Sequence, residues 1–377
     1  MRKIKAYCFC CIIIFTACKR EFTPPELRVD YNYLVVDGVM INSVDSPTIF
    51  TLSRTRKLTD TVLNVPERNA NVSIEGSAGE NFQLSETSPG NYSMDHLVLN
   101  TSSTYRLNIS TSSGANYVSD FVEVKQTPEI DSLNYLQPGD LTIYTTTHDP
   151  SNATRFYRWD YVETYIYQAE GNSEIGVNNG LMYFRDSTNQ IYNCWHITNS
   201  TDILLASTEA LDADVVSQFP VITIPQNSKK VGLRYSIEVR QYAINQAAYQ
   251  YFQILKKNTE QQGSIFDVQP SQLRGNIHSV DNPDETVIGY VTASSVSRKR
   301  IFVRNDQVTN WMHLDPTGIC EAVQLPTNPT NYLIYTYPDP AYAPWYFTGM
   351  GTILVVAKIP CIDCRVQGGT NIKPKYW

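Results

Sequence analysis

The sequence contains few of the residues that enzymes and nucleic-acid-binding proteins depend on. Charged residues occupy 18% of the 377 positions, and the formal net charge is −7. Beyond its first five residues, the only run of three consecutive Lys or Arg residues is at 298–300, so the chain lacks the basic face that nucleic-acid phosphates require. No two of the five histidines lie within five positions of each other, which excludes the H-x-x-x-H and H-E-x-x-H metal motifs. We therefore expect no nucleic-acid partner, no metal and no cofactor.

Catalytic motifs are missing as well. The chain has no G-x-S-x-G elbow, no P-loop and no G-x-G-x-x-G fingerprint. We predict that the protein is not an enzyme, and no catalytic residue is assigned. The carboxylate pair of a glycosidase is defined by separation in space, so a motif search does not detect it. An unrecognised glycan or peptide hydrolase therefore stays as the lowest-ranked alternative. Loop carboxylates near prolines also leave a calcium site open, although no D-x-D-x-D loop occurs.

The first residues follow the order of a secretory signal. Three cations in the first five positions precede an apolar run at 6–17, which is too short to cross a hydrocarbon core of ~30 Å. The run ends in small residues before Cys18 and resembles the lipobox of bacterial lipoproteins, although Phe15 stands where Leu is usual. We predict a signal peptide at 1–17, a lipid on Cys18 and a polar tether at 18–30. An ordinary secreted protein is the alternative.

Residues that favour strands dominate the rest of the chain, and the full sequence contains 25 Tyr. Between 31 and 127, short alternating segments separated by Gly and Pro recur about every 8–12 residues, a spacing typical of β-sandwiches. The pattern breaks at Pro128, where we place a domain boundary. We predict an all-β fold of tandem β-sandwich modules, immunoglobulin-like or prealbumin-like, with an N-terminal sandwich at 31–127 and a C-terminal β-rich domain at 128–377. Apolar residues at helical spacing predict one helix near 245–262.

Four cysteines follow the predicted anchor, and their even number in an exported chain favours disulfides. Sequence alone leaves all three pairings open. The C-x-x-C spacing near the end of the chain also allows a redox pair or half of a zinc site, but a zinc site built only from cysteines needs a second close pair that is not present. We predict disulfides that fasten the C-terminal tail to the body, formed by Cys194, Cys320, Cys361 and Cys364.

Aromatic residues crowd a proline-rich stretch near the C-terminus. Aromatic faces in loops stack on sugars or peptide side chains and anchor interfaces. Buried strands use the same residues, so core packing is the alternative. The candidate binding aromatics are Tyr342, Trp345 and Tyr346.

Several segments carry a family resemblance in addition to the lipobox. They are YLVVDGVM, TLSRT, RYSIEVRQYAINQAAYQYFQILKK, GSIFDVQPSQLRGNI, NPDETVIGYVTASS and CIDCRVQGGTNIKPKYW. Together they resemble a family of uncharacterised Bacteroidetes lipoproteins that carry the domain called DUF4249. The resemblance implies an outer-membrane lipoprotein encoded close to TonB-dependent transporters, and it supplies no catalytic residues.

The resemblance sets the functional expectation. We expect a lipid-anchored outer-membrane protein that binds a ligand or partner as an accessory to a TonB-dependent transporter. A structural or adhesive surface module is the alternative. Lys19 is not the Asp that retains many lipoproteins at the inner membrane, and 19–21 partly resembles the surface-export signal of Bacteroidetes. We therefore expect the protein to face the cell surface.

Overall fold

A computed structural model describes residues 32–56, 65–260, 273–312, 320–326 and 338–377. The predicted signal peptide, Cys18 and most of the predicted N-terminal region before the first strand lie outside the described residues. Within these ranges the chain is built mainly from β-strands, so the predicted all-β class is confirmed. In chain order the strands are β1 (Leu34–Ile41), β2 (Thr48–Arg54), β3 (Val65–Pro66), β4 (Asn71–Gly76), β5 (Asn81–Ser88), β6 (Asn91–Met94), β7 (Thr104–Ser110), β8 (Asn116–Ser119), β9 (Val122–Lys125), β10 (Ile130–Leu136), β11 (Leu141–His148), β12 (Phe156–Gln168), β13 (Ile175–Asn178), β14 (Leu181–Phe184), β15 (Asn193–Asn199), β16 (Leu204–Ser207), β17 (Val215–Ile224), β18 (Arg234–Ala243), β19 (Ile277–Ser279), β20 (Thr292–Ser294), β21 (Ser297–Arg304), β22 (Ala322–Pro326), β23 (Tyr342–Thr348) and β24 (Ile353–Lys358).

Helical structure is sparse in the described part of the chain. Helix α1 spans Gln246–Glu260 and the one-turn helix α2 spans Ile359–Ile362. None of the described helices combines the length and the apolar character that crossing a bilayer demands. Single 3-10 turns lie at Lys229–Val231, Asn305–Gln307, Gly349–Gly351 and Cys364–Gln367.

Eight strands of the largest sheet close into a barrel. Their order around the ring is β7-β4-β5-β6-β2-β1-β20-β9, and β9 pairs again with β7. All neighbours are antiparallel except β20, which lies parallel to both β1 and β9. The predicted tandem β-sandwich is therefore wrong, because this sheet closes on itself. A strand from the second half of the chain completes it.

The barrel core follows from strict alternation. Strands β4 and β7 bury every second residue, because successive side chains of a strand point to opposite faces. Phe50, Leu52, Ile74 and Leu107 are completely buried, and each such side chain contributes about 1.5–3 kcal/mol when it leaves water. The patterns that predicted a sandwich therefore reported burial on one face correctly, but they did not report how the sheet closes.

The second half has a different architecture. A five-stranded antiparallel sheet has the order β15-β12-β18-β21, with β16 on the β15 edge of β12, and a three-stranded sheet has the order β10-β11-β17. Their facing side chains form a second core around Trp159. The indole ring stacks on Phe219 at 4.5 Å between centroids, and its Nε1 donates to Gln241 Oε1 at 2.8 Å.

Helix α1 joins the two halves. The predicted helix is confirmed over Gln246–Glu260, and positions 261 and 262 lie outside the described residues. Asn245 Oδ1 accepts from the backbone N–H of Ala248 at 2.8 Å and caps its first turn. Tyr251 and Phe252 pack in one cluster with side chains of β1 and β18. The predicted apolar stripe therefore serves as core between the barrel and the five-stranded sheet.

A third, smaller unit lies near the C-terminus. Strands β22, β24 and β23 form an antiparallel sheet, and the hairpin β13–β14 packs on it through Ile175 and Met182. The hairpin begins beside β23, since the N–H of Glu174 donates to the carbonyl of Trp345 at 2.8 Å.

Candidate binding cleft and the predicted site residues

A cleft of about 480 Å3 opens where the barrel meets the second half. One wall is 125–131, which leads from β9 into β10, and the other is 148–154, which leads from β11 into β12. Both walls are connections that follow buried strands, and binding groups in proteins commonly lie on such connections over a rigid scaffold.

The first wall is fixed from below by β18 and by the segment between β20 and β21. Thr127 donates its N–H to Ser295 Oγ at 2.8 Å, and its hydroxyl donates to the Ser295 carbonyl at 2.5 Å. Ser297 Oγ donates to Glu129 Oε2 at 2.9 Å. Gln241 Nε2 donates to the carbonyl of Pro128 at 2.8 Å. This wall is therefore held by β18 and by the residues that directly follow β20, the strand that completes the barrel.

The second wall is organised by Asp149. Its carboxylate accepts from the Ser151 N–H at 2.9 Å, the Ser151 hydroxyl at 2.6 Å and the Thr154 N–H at 2.8 Å. Burial acts to raise the pKa of Asp149, but these hydrogen bonds favour the anion more strongly and lower the pKa to about 2. Asp149 therefore stays ionised at every physiological pH and holds its loop in a turn.

His148 and Asp131 meet inside the cleft. His148 Nδ1 lies 2.7 Å from Asp131 Oδ2, and both side chains are substantially exposed. The hydrogen bond to Asp131 and the negative charge of that carboxylate raise the pKa of His148 above its usual value. In the described ranges, no hydroxyl or thiol forms a hydrogen bond with the His148 ring, so the pair lacks the nucleophile of a Ser–His or Cys–His dyad. The arrangement suits recognition of a charged group.

The cleft carries both signs of charge beside apolar surface. Lys125 Nζ is paired with Glu123 at 2.8 Å at the rim, and the carboxylate of Glu129 lies among the lining groups. Pro128 and Pro150 supply apolar surface. Such a lining suits a small polar solute or a peptide segment that presents both charges.

The four predicted disulfide cysteines form two bridges. Cys194 pairs with Cys364 and Cys320 pairs with Cys361, with Cα atoms 5.7 Å and 5.8 Å apart. Cys194 and Cys364 are completely buried. The C-x-x-C pair is therefore split, because each of its members bonds to a distant cysteine.

One cluster of potential metal ligands occurs in the described part of the chain. It consists of Glu170, Cys320 and Cys361. Both sulfurs belong to one disulfide, and a disulfide supplies no thiolate to a metal. Glu170 contacts Cys320 through its carboxylate, which makes it a neighbour of the bridge.

The candidate aromatics lie on β23. Trp345 is half-buried and packs over Gly171, where a Cβ would overlap the indole ring. Tyr346 meets Trp345 edge-on at 5.2 Å, and Tyr342 packs with the small C-terminal core. None of the three lines the cleft. The tyrosines at 332, 335 and 337 lie outside the described residues.

The cleft groups were not predicted from sequence. His148 and Asp131 stand far apart along the chain as single loop-edge residues. They meet because β10 and β11 pair antiparallel, with Ile130 opposite Thr147. A signal that could have found them is the pair of Pro-containing acidic segments at 128–131 and 148–150, which stand at the start and the end of the β10–β11 hairpin.

These features define an all-β protein that consists of a barrel, a two-layer β-region and a small disulfide-linked sheet, with a polar cleft where the barrel meets the two-layer region. The chain belongs to the DUF4249 family, since the model described as "Domain of unknown function (DUF4249)" matches residues 20–300. The match includes the barrel and both walls of the cleft, and it ends before β22. No curated protein matches the chain.

Proposed function

We propose that this protein is a lipid-anchored outer-membrane protein of a Bacteroidetes cell envelope. In this proposal it binds a polar solute or peptide in the cleft and serves as an accessory to a TonB-dependent transporter. The observation that carries the proposal is the cleft itself, with a His–Asp pair and both signs of charge on fixed walls. The signal-like N-terminus and the resemblance to transporter-linked lipoproteins support the anchor and the partner.

In this mechanism the anchored protein captures its ligand close to the transporter. Protonated His148 pairs with an anionic group of the ligand, and the carboxylate of Glu129 pairs with a cationic group. The lipid on Cys18 holds the cleft beside the transporter, so the second encounter takes place at high effective concentration and needs no high intrinsic affinity. Electrostatic pairing of this kind contributes to specificity and to the rate of association more than to raw affinity.

The test is a pull-down from native outer membranes in mild detergent, with the tagged full-length lipoprotein as bait and mass spectrometry of the captured proteins. We expect a TonB-dependent barrel in stoichiometric amount. Lipoprotein recovered without any barrel would contradict the accessory role, and a deletion strain that adheres poorly but imports normally would then favour the adhesive alternative.

A pair of variants tests the cleft. His148→Ala should weaken capture of the solute that the recovered barrel imports, because it removes the titratable cation of the cleft. His278→Ala is the matched control, since His278 is also half-exposed and also faces an aspartate, Asp120 at 3.8 Å. It lies on β19, which pairs with β8 outside the cleft. Equal capture by both variants would exclude His148 from the site.

A further inference from the structure

The outer face of the five-stranded sheet carries a group of aromatic and polar side chains. In the register of the sheet, Trp195 of β15, Ile166 of β12 and Arg234 of β18 form one cross-strand row. Thr164 and Phe302 lie in the next row on the same face, because side chains two residues apart on a strand point the same way. This face is opposite to the one that contributes to the second core. We call Thr164, Trp195, Arg234 and Phe302 the socket.

The ring of Trp377 occupies the socket, at one end of the segment 370–377. It meets the ring of Phe302 edge-on at 5.7 Å between centroids and the ring of Trp195 at 6.5 Å. The guanidinium of Arg234 lies 5.1 Å from the centre of the same indole. Edge-to-face packing is an arrangement that aromatic pairs favour. The socket therefore has the shape and the lining that a flat aromatic ring requires.

Two hydrogen-bond donors of the socket have no acceptor. Trp195 Nε1 and Arg234 Nε are both buried, and within the described ranges neither of them has a hydrogen-bond partner. Trp195 as a whole is only 7% exposed. Nearly all buried donors in proteins are paired, because an unpaired donor retains the full cost of leaving water. Trp377 therefore supplies the apolar contacts of the socket but no acceptor for these two N–H groups.

Arg234 also lacks a counter-anion. It forms no ion pair in the part of the chain that the structure describes, whereas Arg304, its cross-strand partner on β21, is paired with Asp306 at 3.0 Å. The centres of the Phe302 and Trp377 rings lie 4.3 Å and 5.1 Å from its guanidinium. Such ring contacts stabilise a cation without neutralising it. Arg234 therefore offers a positive charge to an anion that enters the socket.

Few contacts hold the aromatic end of the segment 370–377 on the sheet. Thr370 exchanges two backbone hydrogen bonds with Trp195, at 2.8 Å and 3.0 Å. Among the described residues, positions 372–375 form hydrogen bonds only within the segment itself. Tyr376 Oη then lies 2.7 Å from Thr164 Oγ1. Since a region with few contacts opens at low cost, the two rings can leave the socket while Thr370 stays bound.

We propose that the socket is a binding site for a small aromatic carboxylate, which displaces Trp377. The ring of the ligand replaces the indole against Phe302, and its carboxylate accepts from Trp195 Nε1 and Arg234 Nε. Both donors belong to side chains that contact the same indole, so one carboxylate at that place meets both of them. Hydrogen bonds with an ionised acceptor are the stronger ones. A neutral aromatic compound would leave both donors unpaired, so the site selects the acid.

This site is separate from the cleft of the proposed function. None of the socket residues lines the cleft, and the sheet that carries them has its other face in the second core. The inference therefore requires neither the lipid anchor nor the transporter.

The experiment observes Trp377 directly in the full-length protein. The tryptophans are replaced by fluorotryptophan, and the fluorine NMR resonance of Trp377 is assigned from its absence in Trp377→Phe. Indoleacetate is the probe, and indoleacetamide, which has the same ring without the charge, is its control. We expect indoleacetate to shift the Trp377 resonance towards that of a solvent-exposed indole. The amide should need a concentration at least about tenfold higher, because it cannot form the charged hydrogen bonds.

Two arginine variants test the recognition of the anion. Arg234→Gln should remove the preference, so that the acid and the amide act at similar concentrations. Arg304→Gln is the matched control, since Arg304 lies in the same cross-strand row but is already paired with Asp306, and it should keep the preference.

A third variant covers the case in which Arg234→Gln fails to fold. Trp377→Ser removes the ring that the ligand must displace, so calorimetry should show indoleacetate bound more tightly than by the parent protein.

Two outcomes would overturn the proposal. If indoleacetate neither shifted the Trp377 resonance nor bound to Trp377→Ser, the socket would serve packing alone. Equal action of the acid and the amide on the parent protein would show that the anion is not recognised. Neither outcome affects the pull-down of the transporter, so this proposal and the proposed function fail separately.

Discussion

The barrel and the small sheet β22-β24-β23 are stabilised in different ways. The barrel closes through β7 and β9, so its ring has no free edge. The small sheet has three strands and a core of few buried residues. The disulfide Cys194–Cys364 ties its surroundings to β15 of the body, and the disulfide Cys320–Cys361 lies within the small unit. Closure by hydrogen bonds therefore suffices where the sheet encloses a large core. A sheet too small to do so depends on covalent links.

The largest effect that would test this comparison comes from the buried disulfide. Replacing Cys194 and Cys364 by Ala should lower the free energy of unfolding by about 5 kcal/mol, because the bridge closes a loop with a sequence separation of 170. The bridge between Cys320 and Cys361 closes a loop of 41 and should contribute about 4 kcal/mol. Denaturant unfolding of the two double variants measures both values.

Hydrogen exchange of the backbone amides shows which part of the fold loses stability when a disulfide is removed. In both disulfide variants the amides of β22–β24 should exchange faster while those of β1 and β2 keep their protection. Equal loss of protection in the barrel would show that the two regions unfold together, and the distinction between them would fail.

A smaller loss of stability is expected from a substitution next to β20, the strand that completes the barrel. Gly289 has φ of 150°, and a Cβ there would collide with the carbonyl oxygen of Val36. Gly289→Ala should therefore push the segment before β20 away from β1 and cost about 3 kcal/mol. Thermal unfolding checks this value. Gly139→Ala is the control, because a Cβ at Gly139 meets no atom within 4 Å.

The third prediction is a gain in stability, whereas the first two are losses. Met350 has φ of 57°. Met350→Gly should raise the free energy of unfolding by about 1 kcal/mol, since glycine adopts positive φ without strain. A variant that is less stable than the parent would show that Met350 has an interaction within the folded chain.

The smallest expected effect is the pH dependence of stability that arises from two histidines. The pKa of His148 is raised by Asp131, so its proton stabilises the fold below about pH 6.5, and this contribution is lost as pH rises through the folded pKa. The pKa of His196 is lowered, first by burial and then by the nearby Lys229. Protonation of His196 therefore destabilises the fold as pH falls below about 6.5.

An NMR titration of the two imidazoles checks both directions in one experiment. Asp131→Asn should return the pKa of His148 towards its ordinary value and leave His196 unchanged. Shifts of both histidines in the same direction would contradict the assignment of local causes.

The local structure could be predicted from sequence where the apolar pattern was strong. Helix α1 repeats apolar residues at 248, 251, 252 and 255, and the barrel strands alternate over several residues. Closure of the barrel could not be predicted, because β20 is only three residues long and all three are buried. Such a strand has no alternation, and nothing in its composition indicates parallel insertion between β1 and β9.

The cleft could not be predicted from the sequence for a related reason. His148 and Asp131 become neighbours through the register of β10 and β11, and register depends on the turn and on burial across the pair. The cysteines were easier to predict, since the even number of four cysteines after position 18 favours disulfides. Their pairing depends on where β15 places Cys194, which no spacing rule contains.

The position of β20 in the barrel determines when each newly made molecule can complete its folding. A chain that is synthesised amino end first delivers β1 and β9 well before residues 292–294, so the ring cannot close until its last strand has been made. Until then the two strands that flank the gap expose unpaired backbone groups to other chains, and the contacts that close it are among the slowest to form. An emerging polypeptide of this design is most in need of a holding chaperone during that interval. Products that terminate before residue 292 should aggregate and should not accumulate as a folded fragment.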